Sequence, residues 1–413
     1  MKRKVAGSGS GLAAALLLAL SGCGQQVAEP PADGRSKTQA QAVPEAATAV
    51  RRTATEQQSK DLTEQVRQAI AHVDAAALSR LASDEAFADR VLQGTDLRGT
   101  ERREAVEGLS GTLQEIFSGV TEGCRNGGSY SFVRLIERDG EFRPLFRLCL
   151  PQLSGINYHE LVLVQTTDGT RIADVNVYLS GESVADSLRR LVLPALAASN
   201  RGLQATLSAA ELQQLEFADD IREIGDLQRR DQPKSAMELF RRLPDVIRKS
   251  EHLLRLQVRI CRGLGPDELS AALLELVEGC ADDPGVGFIE IERLELLGKP
   301  AETATAVDRL RDRIGDPYLS LLKVESLLRL DRAEEASEAV AAAKQVSEGD
   351  ADVALTDLRV RLHRKDFAGV AELLDGLQQS PEGAAGIPEY QEFLQSEAGK
   401  AWLQRQVNQS EAR

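Results

Sequence analysis

Three groups of side chains have types and spacings that could do chemistry, and all lie between residues 124 and 178. The first centres on Glu160. Setting Thr167 opposite Thr170 across an Asp168-Gly169 turn puts Glu160 on one side with Tyr158, Val162, Val164, Ala173, Val175, Val177 and Leu179. A lone carboxylate on an apolar side has two readings. It is a desolvated base with a raised pKa, or a strand-end acid near the sheet rim paired with an arginine; the second is the safer expectation. His159 and Tyr178 face each other on the opposite side, near Asn176. No nucleophile or metal ligand is spaced with His159, so it reads as half of a surface pair rather than as a catalytic group.

The second group is four arginines. An Asp139-Gly140 turn sets Arg138 opposite Glu141, Val133 opposite Phe146 and Leu135 opposite Pro144. Arg134, Arg138, Arg143 and Arg147 then share one side, while Val133, Leu135, Phe142, Phe146 and Leu148 take the other. Such a row would bind an anion or an acidic partner segment; its plainer reading is a solvated sheet face. The third group is Cys124 and Cys149. Cys149 faces Tyr130 in this register, which brings a bridge within reach in an oxidising compartment. Cys261 and Cys280 are offset by roughly 16 Å in an antiparallel helical hairpin, too far to bridge. The chain has no P-loop, Gly-x-Ser-x-Gly, His-Glu-x-x-His or dinucleotide fingerprint. With four histidines and no Cys–His spacing that suits zinc, neither a metal nor a cofactor is expected, and an enzyme is not the leading expectation.

The elements that must position these groups fall into four stretches: residues 1–22, 23–60, 61–200 and 201–406. The first has a basic start, Lys2-Arg3-Lys4, and a short apolar run from Leu12 to Leu20. The second is rich in Ala, Gln, Glu, Pro and Thr without hydrophobic periodicity and reads as a tether with a reach of roughly 30 Å. The third begins with helices. Leu62, Val66, Ile70 and Val73 are spaced for one, and Val106, Leu109, Leu113 and Phe117 for another over Glu101–Val120. Two hairpins follow, giving helices packed on a four-stranded antiparallel sheet. Asn200-Arg201-Gly202 is then a hinge or a turn.

The last stretch repeats itself. At a shift of 33, Leu253, Val286 and Leu319 align, as do Leu256, Ile289 and Leu322. Pro233, Pro266 and Pro300 each open a second helix, where a missing N–H costs nothing. Five helical hairpins fit, turning near Asp231-Gln232, Gly265, Gly298-Lys299, Asp331 and Lys365-Asp366. The fold class is therefore an α+β domain followed by an all-α helical-hairpin solenoid. Gln257, Glu290, Lys323 and Asp357 fall at equivalent positions on first helices and are the candidate contact residues there. Their mixed charges give no single-sign groove. Pro388 to Gln406, with Phe393, Leu394 and Trp402, would cap the last hairpin. Aromatics at 4% and a formal net charge of −14 leave no platform or basic block for nucleic acid.

Three resemblances add expectations. Leu20-Ser21-Gly22-Cys23, after that apolar run, resembles the lipobox of bacterial lipoproteins. It implies cleavage before Cys23, acylation of Cys23, and, with Gly24 next, anchoring at the outer membrane facing the periplasm. The period near 33 with Asp283-Pro284 and Asp316-Pro317 at repeat ends resembles the tetratricopeptide repeat, departing from it at Val258, Ile291 and Val324, where a small residue is usual. It implies a protein-binding scaffold or adaptor with an envelope protein as partner. The order helices–four strands–helix, with Thr167–Val175, is similar to the nuclear-transport-factor-two-like cone fold. Asp174–Arg190 is similar to the toluene-tolerance family of phospholipid carriers, with Arg171 where a tryptophan is usual. Those two imply a carrier of lipid or a small apolar ligand, or an isomerase-like enzyme using Glu160.

Overall fold

The computed structural model describes residues 53–150, 155–199, 209–347, 349–377 and 380–411. The leader, Cys23, most of the tether and the Asn200-Arg201-Gly202 break lie outside them. The first helix, α1 (Glu56–Ala71), starts before the expected tether end because Thr55 and Gln58 form a capping box. Leu62, Val66 and Ala69 form its buried stripe. Short α2 (Ala75–Arg80) and α3 (Asp84–Val91) follow, and α3 buries Phe87 and Val91. The expected helix over Glu101–Val120 is two helices, α4 (Gly99–Leu109) and α5 (Thr112–Arg125). Gly111 separates them with φ at +87°, a left-handed value that few other residues adopt cheaply.

The sheet has five antiparallel strands in the order β1 (Ser129–Arg138), β2 (Glu141–Leu150), β3 (Gly155–Thr166), β4 (Gly169–Val177) and β5 (Glu182–Ser183). The expected count of four missed β5, whose two residues are too few to show any alternation. Helix α6 (Val184–Ser199) leaves from it. The first turn falls at Asp139-Gly140 as expected, with φ at +54° and +75°. Beyond Arg134 the register departs from expectation. A bulge at Val133 sets Phe132, not Val133, opposite Phe146, and Ser129, not Tyr130, opposite Cys149.

The turn of the second hairpin falls one residue early, so the pairs beside it are shifted by two from the expected register. Thr166 faces Gly169 and Gln165 faces Thr170, so the loop is Thr167-Asp168, and Gly169 begins β4 with φ at +103°. A further irregularity between Val162 and Leu163 sets Leu161 opposite Val175 and Glu160 opposite Asn176. This slip moves Val175 and Val177 to the side of His159, Leu161 and Leu163. That side, with Tyr130, Phe146 and Leu148, packs on Leu62, Val66, Phe87, Leu113 and Phe117 of the helices. Glu160, Asn176, Arg143 and Arg147 alternate with these residues and so occupy the opposite face.

From residue 209 every described element is a helix. Residues with positive φ stand between helices at Asp231, Gly265, Gly298, Asp331 and Lys365, each 33 or 34 after the last, and two more, Gly315 and Gly349, are 34 apart. Pro233, Pro266 and Pro300 stand first in their helices. Contacts divide the chain into two compact units. One runs to Gly265 and takes in Gly279–Val286; the other is Pro266–Glu278 with Gly287–Arg413. In the second, Phe393 and Trp402 are fully buried against Leu358, Val370 and Leu374, and Trp402 donates its indole N–H to Asp375 at 2.8 Å.

Within the first unit, the β4–β5 turn is tied to the helix Glu251–Cys261. Arg255 donates to the Leu179 carbonyl at 3.2 Å and pairs with Glu251 and with buried Asp283. Gly285 lies against the Tyr178 carbonyl oxygen so closely that a Cβ would land on it. Gly285→Ala is therefore expected to cost about 1–3 kcal/mol, the usual price of overpacking, read as a lower urea midpoint at unchanged slope.

Candidate functional site

Glu160 lies mid-strand and is fully buried, so it is neither a rim acid nor a lone carboxylate in the helix-packed interior. Arg143 donates to Oε1 at 2.9 Å and Asn176 at 3.1 Å. The Tyr178 hydroxyl donates to Oε2 at 3.1 Å, and Arg138 stands 3.8 Å from it. Arg143 also pairs with Glu141 through Nε at 2.9 Å. Burial pulls the Arg143 guanidinium down, but its bonds to the two glutamates more than offset this, so its pKa lies above the ordinary value. Burial, then the charge of Glu160, raises the Tyr178 hydroxyl. A carboxylate has about four lone-pair sites, and the donors here occupy nearly all of them. The arrangement ties three strands together and leaves little capacity to take a proton from a substrate.

His159 is on the helix-packed face, not in a surface pair with Tyr178. Its ring lies edge-on to Tyr130 at 5.6 Å, and burial drops its pKa to about 4. A second buried acid, Asp174, accepts from the N–H groups of Val175 and Ala185 and pairs with Arg90 at 3.1 Å. It joins β4 to the start of α6 and to α3.

The four arginines do share a face, yet two of them are largely removed from solvent. Arg147 is buried and Arg143 half-buried, while Arg134 and Arg138 are exposed. The Cys124–Cys149 bridge that the sequence leaves open is not formed; both are thiols. Cys124 packs on the helix-side core, and Cys149, next to Leu148 of that core, points to the other face.

The four candidate contact residues in the helical half are taken up internally. Glu290 pairs with Arg309 at 2.8 Å, Lys323 with Asp308 at 2.7 Å and Asp357 with Arg361 at 3.2 Å; Gln257 is half-buried. A different feature stands out in the second unit. Leu274, Leu296 and Leu297 are 36%, 40% and 42% exposed and line a groove of about 280 Å³ with Pro266, Ala271 and Arg293. Arg293 Nε is buried there without a hydrogen-bond partner among the described residues. The adjacent Leu296-Leu297 pair before Gly298 was the only trace of it in the sequence. Leu297 stands 33 residues after Leu264 and 33 before Leu330, an apolar recurrence that suggests a core position, although it is exposed.

Among the described residues no helix is long and apolar enough to cross a membrane, and no three His, Cys, Asp or Glu side chains gather as a metal site requires. The chain matches no protein-family model, no curated protein and no solved structure.

Proposed function

We propose that the protein is an envelope lipoprotein, anchored through Cys23, whose helical half is a tetratricopeptide-like solenoid serving as an adaptor for another envelope protein. The leucine groove carries this reading. Three leucines, each more than a third exposed, gather at one place on the helical surface, and apolar side chains grouped in this way suit the docking of a partner. Its volume lies below the range usual for small-molecule pockets, so it suits one or two apolar side chains of a docked helix better than a lipid. Arg293 adds a guanidinium for a carbonyl or carboxylate of the same segment. The regular 33–34 spacing of the left-handed turns supports stacked hairpins, the scaffold type that exposes such grooves. The two-sided satisfaction of Glu160 speaks for a structural rather than catalytic role in the sheet.

Two measurements test the proposal. Labelled palmitate is expected to enter the protein and to be lost in Cys23→Ser; incorporation independent of Cys23 would remove the anchor. Leu297→Glu is expected to weaken co-purification of the crosslinked envelope partner at least tenfold with no loss of helicity. Unchanged recovery would remove the groove.

A further inference from the structure

We infer that a cavity beside the irregularity in the β3–β4 ladder binds a free α-amino acid with a short apolar side chain. The site lies in the α+β domain and does not depend on the leucine groove. Its walls come from α3, the start of β2 and the second hairpin. The irregularity makes the room. Val162 faces Asp174 and Leu163 faces Ile172, so Ala173 has no partner across the ladder. An extra residue of this kind bends its strand and re-aims the side chains around it. Val162 and Leu163 are consecutive, and a regular strand would send them to opposite faces. Here both line one cavity with Val164 and Ala173. At about 270 Å³ the cavity is smaller than a site for a drug-sized molecule. It matches the liquid volume of about nine waters, which suits one small solute.

Two groups of opposite charge stand on its walls with atoms to spare. Arg90 uses Nε to hold buried Asp174 at 3.1 Å, and Asp174 is fixed in turn by the N–H groups of Val175 and Ala185. Among the described residues neither terminal nitrogen of Arg90 donates to a partner. Those two N–H groups are the end of a guanidinium that grips a carboxylate through parallel bonds. Glu141 takes both bonds of Arg143 on Oε2, and among the described residues its Oε1 accepts nothing. That oxygen can accept from an ammonium. Asp89, the other acid on the wall, is paired with Arg102. A lone anion would meet Glu141 as well as Arg90, and a lone cation would meet Arg90 as well as Glu141. A zwitterion gives each its opposite, and the apolar wall takes a short aliphatic chain.

Calorimetric titration of the full-length protein with leucine tests this. Leucine is expected to bind in the millimolar range or tighter. Isocaproate lacks only its ammonium and isoamylamine lacks only its carboxylate, and each is expected to bind at least tenfold more weakly. Lysine, whose charged end would meet Val162 and Val164, is expected to fall by as much. Arg90→Lys keeps a positive charge beside Asp174 but loses the fork, and Glu141→Gln keeps the shape but loses the charge. Each variant is expected to weaken leucine binding at least tenfold. The ligand comparison uses the unaltered protein, so a poorly folded variant does not decide the outcome. No binding of leucine at millimolar concentration overturns the proposal. So does equal binding of isocaproate, isoamylamine or lysine, or leucine binding that survives either variant.

Discussion

Glu160→Ala is expected to lower the free energy of unfolding by about 3–5 kcal/mol, the cost of removing one partner from a buried ion pair. The truncation leaves Arg143, with 12% of its side chain exposed, facing a void and held by Glu141 alone. It also orphans the donors of Asn176 and Tyr178. Glu160→Gln keeps the volume but turns one acceptor into a donor that meets donors, so it also destabilises, by less. The double variant Arg143→Met with Glu160→Leu removes charge with charge and is expected to lose less than the sum of the single changes. Urea unfolding at constant slope reads all of these. A loss under 1 kcal/mol for Glu160→Ala would mean that the carboxylate is not the clamp between strands described above.

His159 makes the protein acid-sensitive in a defined window. Its folded pKa is about 4, against 6.5 in an unfolded chain. Between those values the unfolded chain binds a proton that the folded one does not, so stability is fully present above about pH 6.5. It is lost as pH falls toward 4. The whole span corresponds to about 3 kcal/mol. His159→Phe, a ring of similar size beside Tyr130 and Phe146, removes this term. The variant is expected to match the wild type within about 1 kcal/mol at pH 7 and to exceed it by about 2 kcal/mol at pH 4.5. His252, whose pKa burial also lowers to about 4, is present in both proteins and cancels. A difference between the two that does not change with pH would contradict the account of His159.

The legible parts of the fold were those with local causes. Proline at a first helical position, a left-handed residue every 33–34 positions and the Asp139-Gly140 turn each act within a few residues, and each stands where the sequence puts it. The site was less legible because sheet faces depend on register. Asp168-Gly169 looks like a two-residue loop, yet Gly169 belongs to β4, and the irregularity between Val162 and Leu163 then adds the one-residue slip that puts Val175 and Val177 on the face opposite Glu160. The bulge at Val133 likewise set Phe132 opposite Phe146 and Ser129 opposite Cys149. Neither bulge alters the hydrophobic alternation enough to be read. Asp174 and Arg90 lie 84 residues apart and meet only in the folded chain. The leucine groove was hidden for another reason. A repeat alignment marks which positions recur, not which of them a neighbour covers.

The most direct measurement places a photo-reactive amino acid at Leu297 in the native envelope, with Val246, 63% exposed in the other unit, as the reference position. The adaptor reading predicts one discrete protein adduct from Leu297, mapped to an apolar helical segment of the partner and absent from Val246. No protein adduct at Leu297, adducts to lipid alone, or the same products from both positions would contradict it.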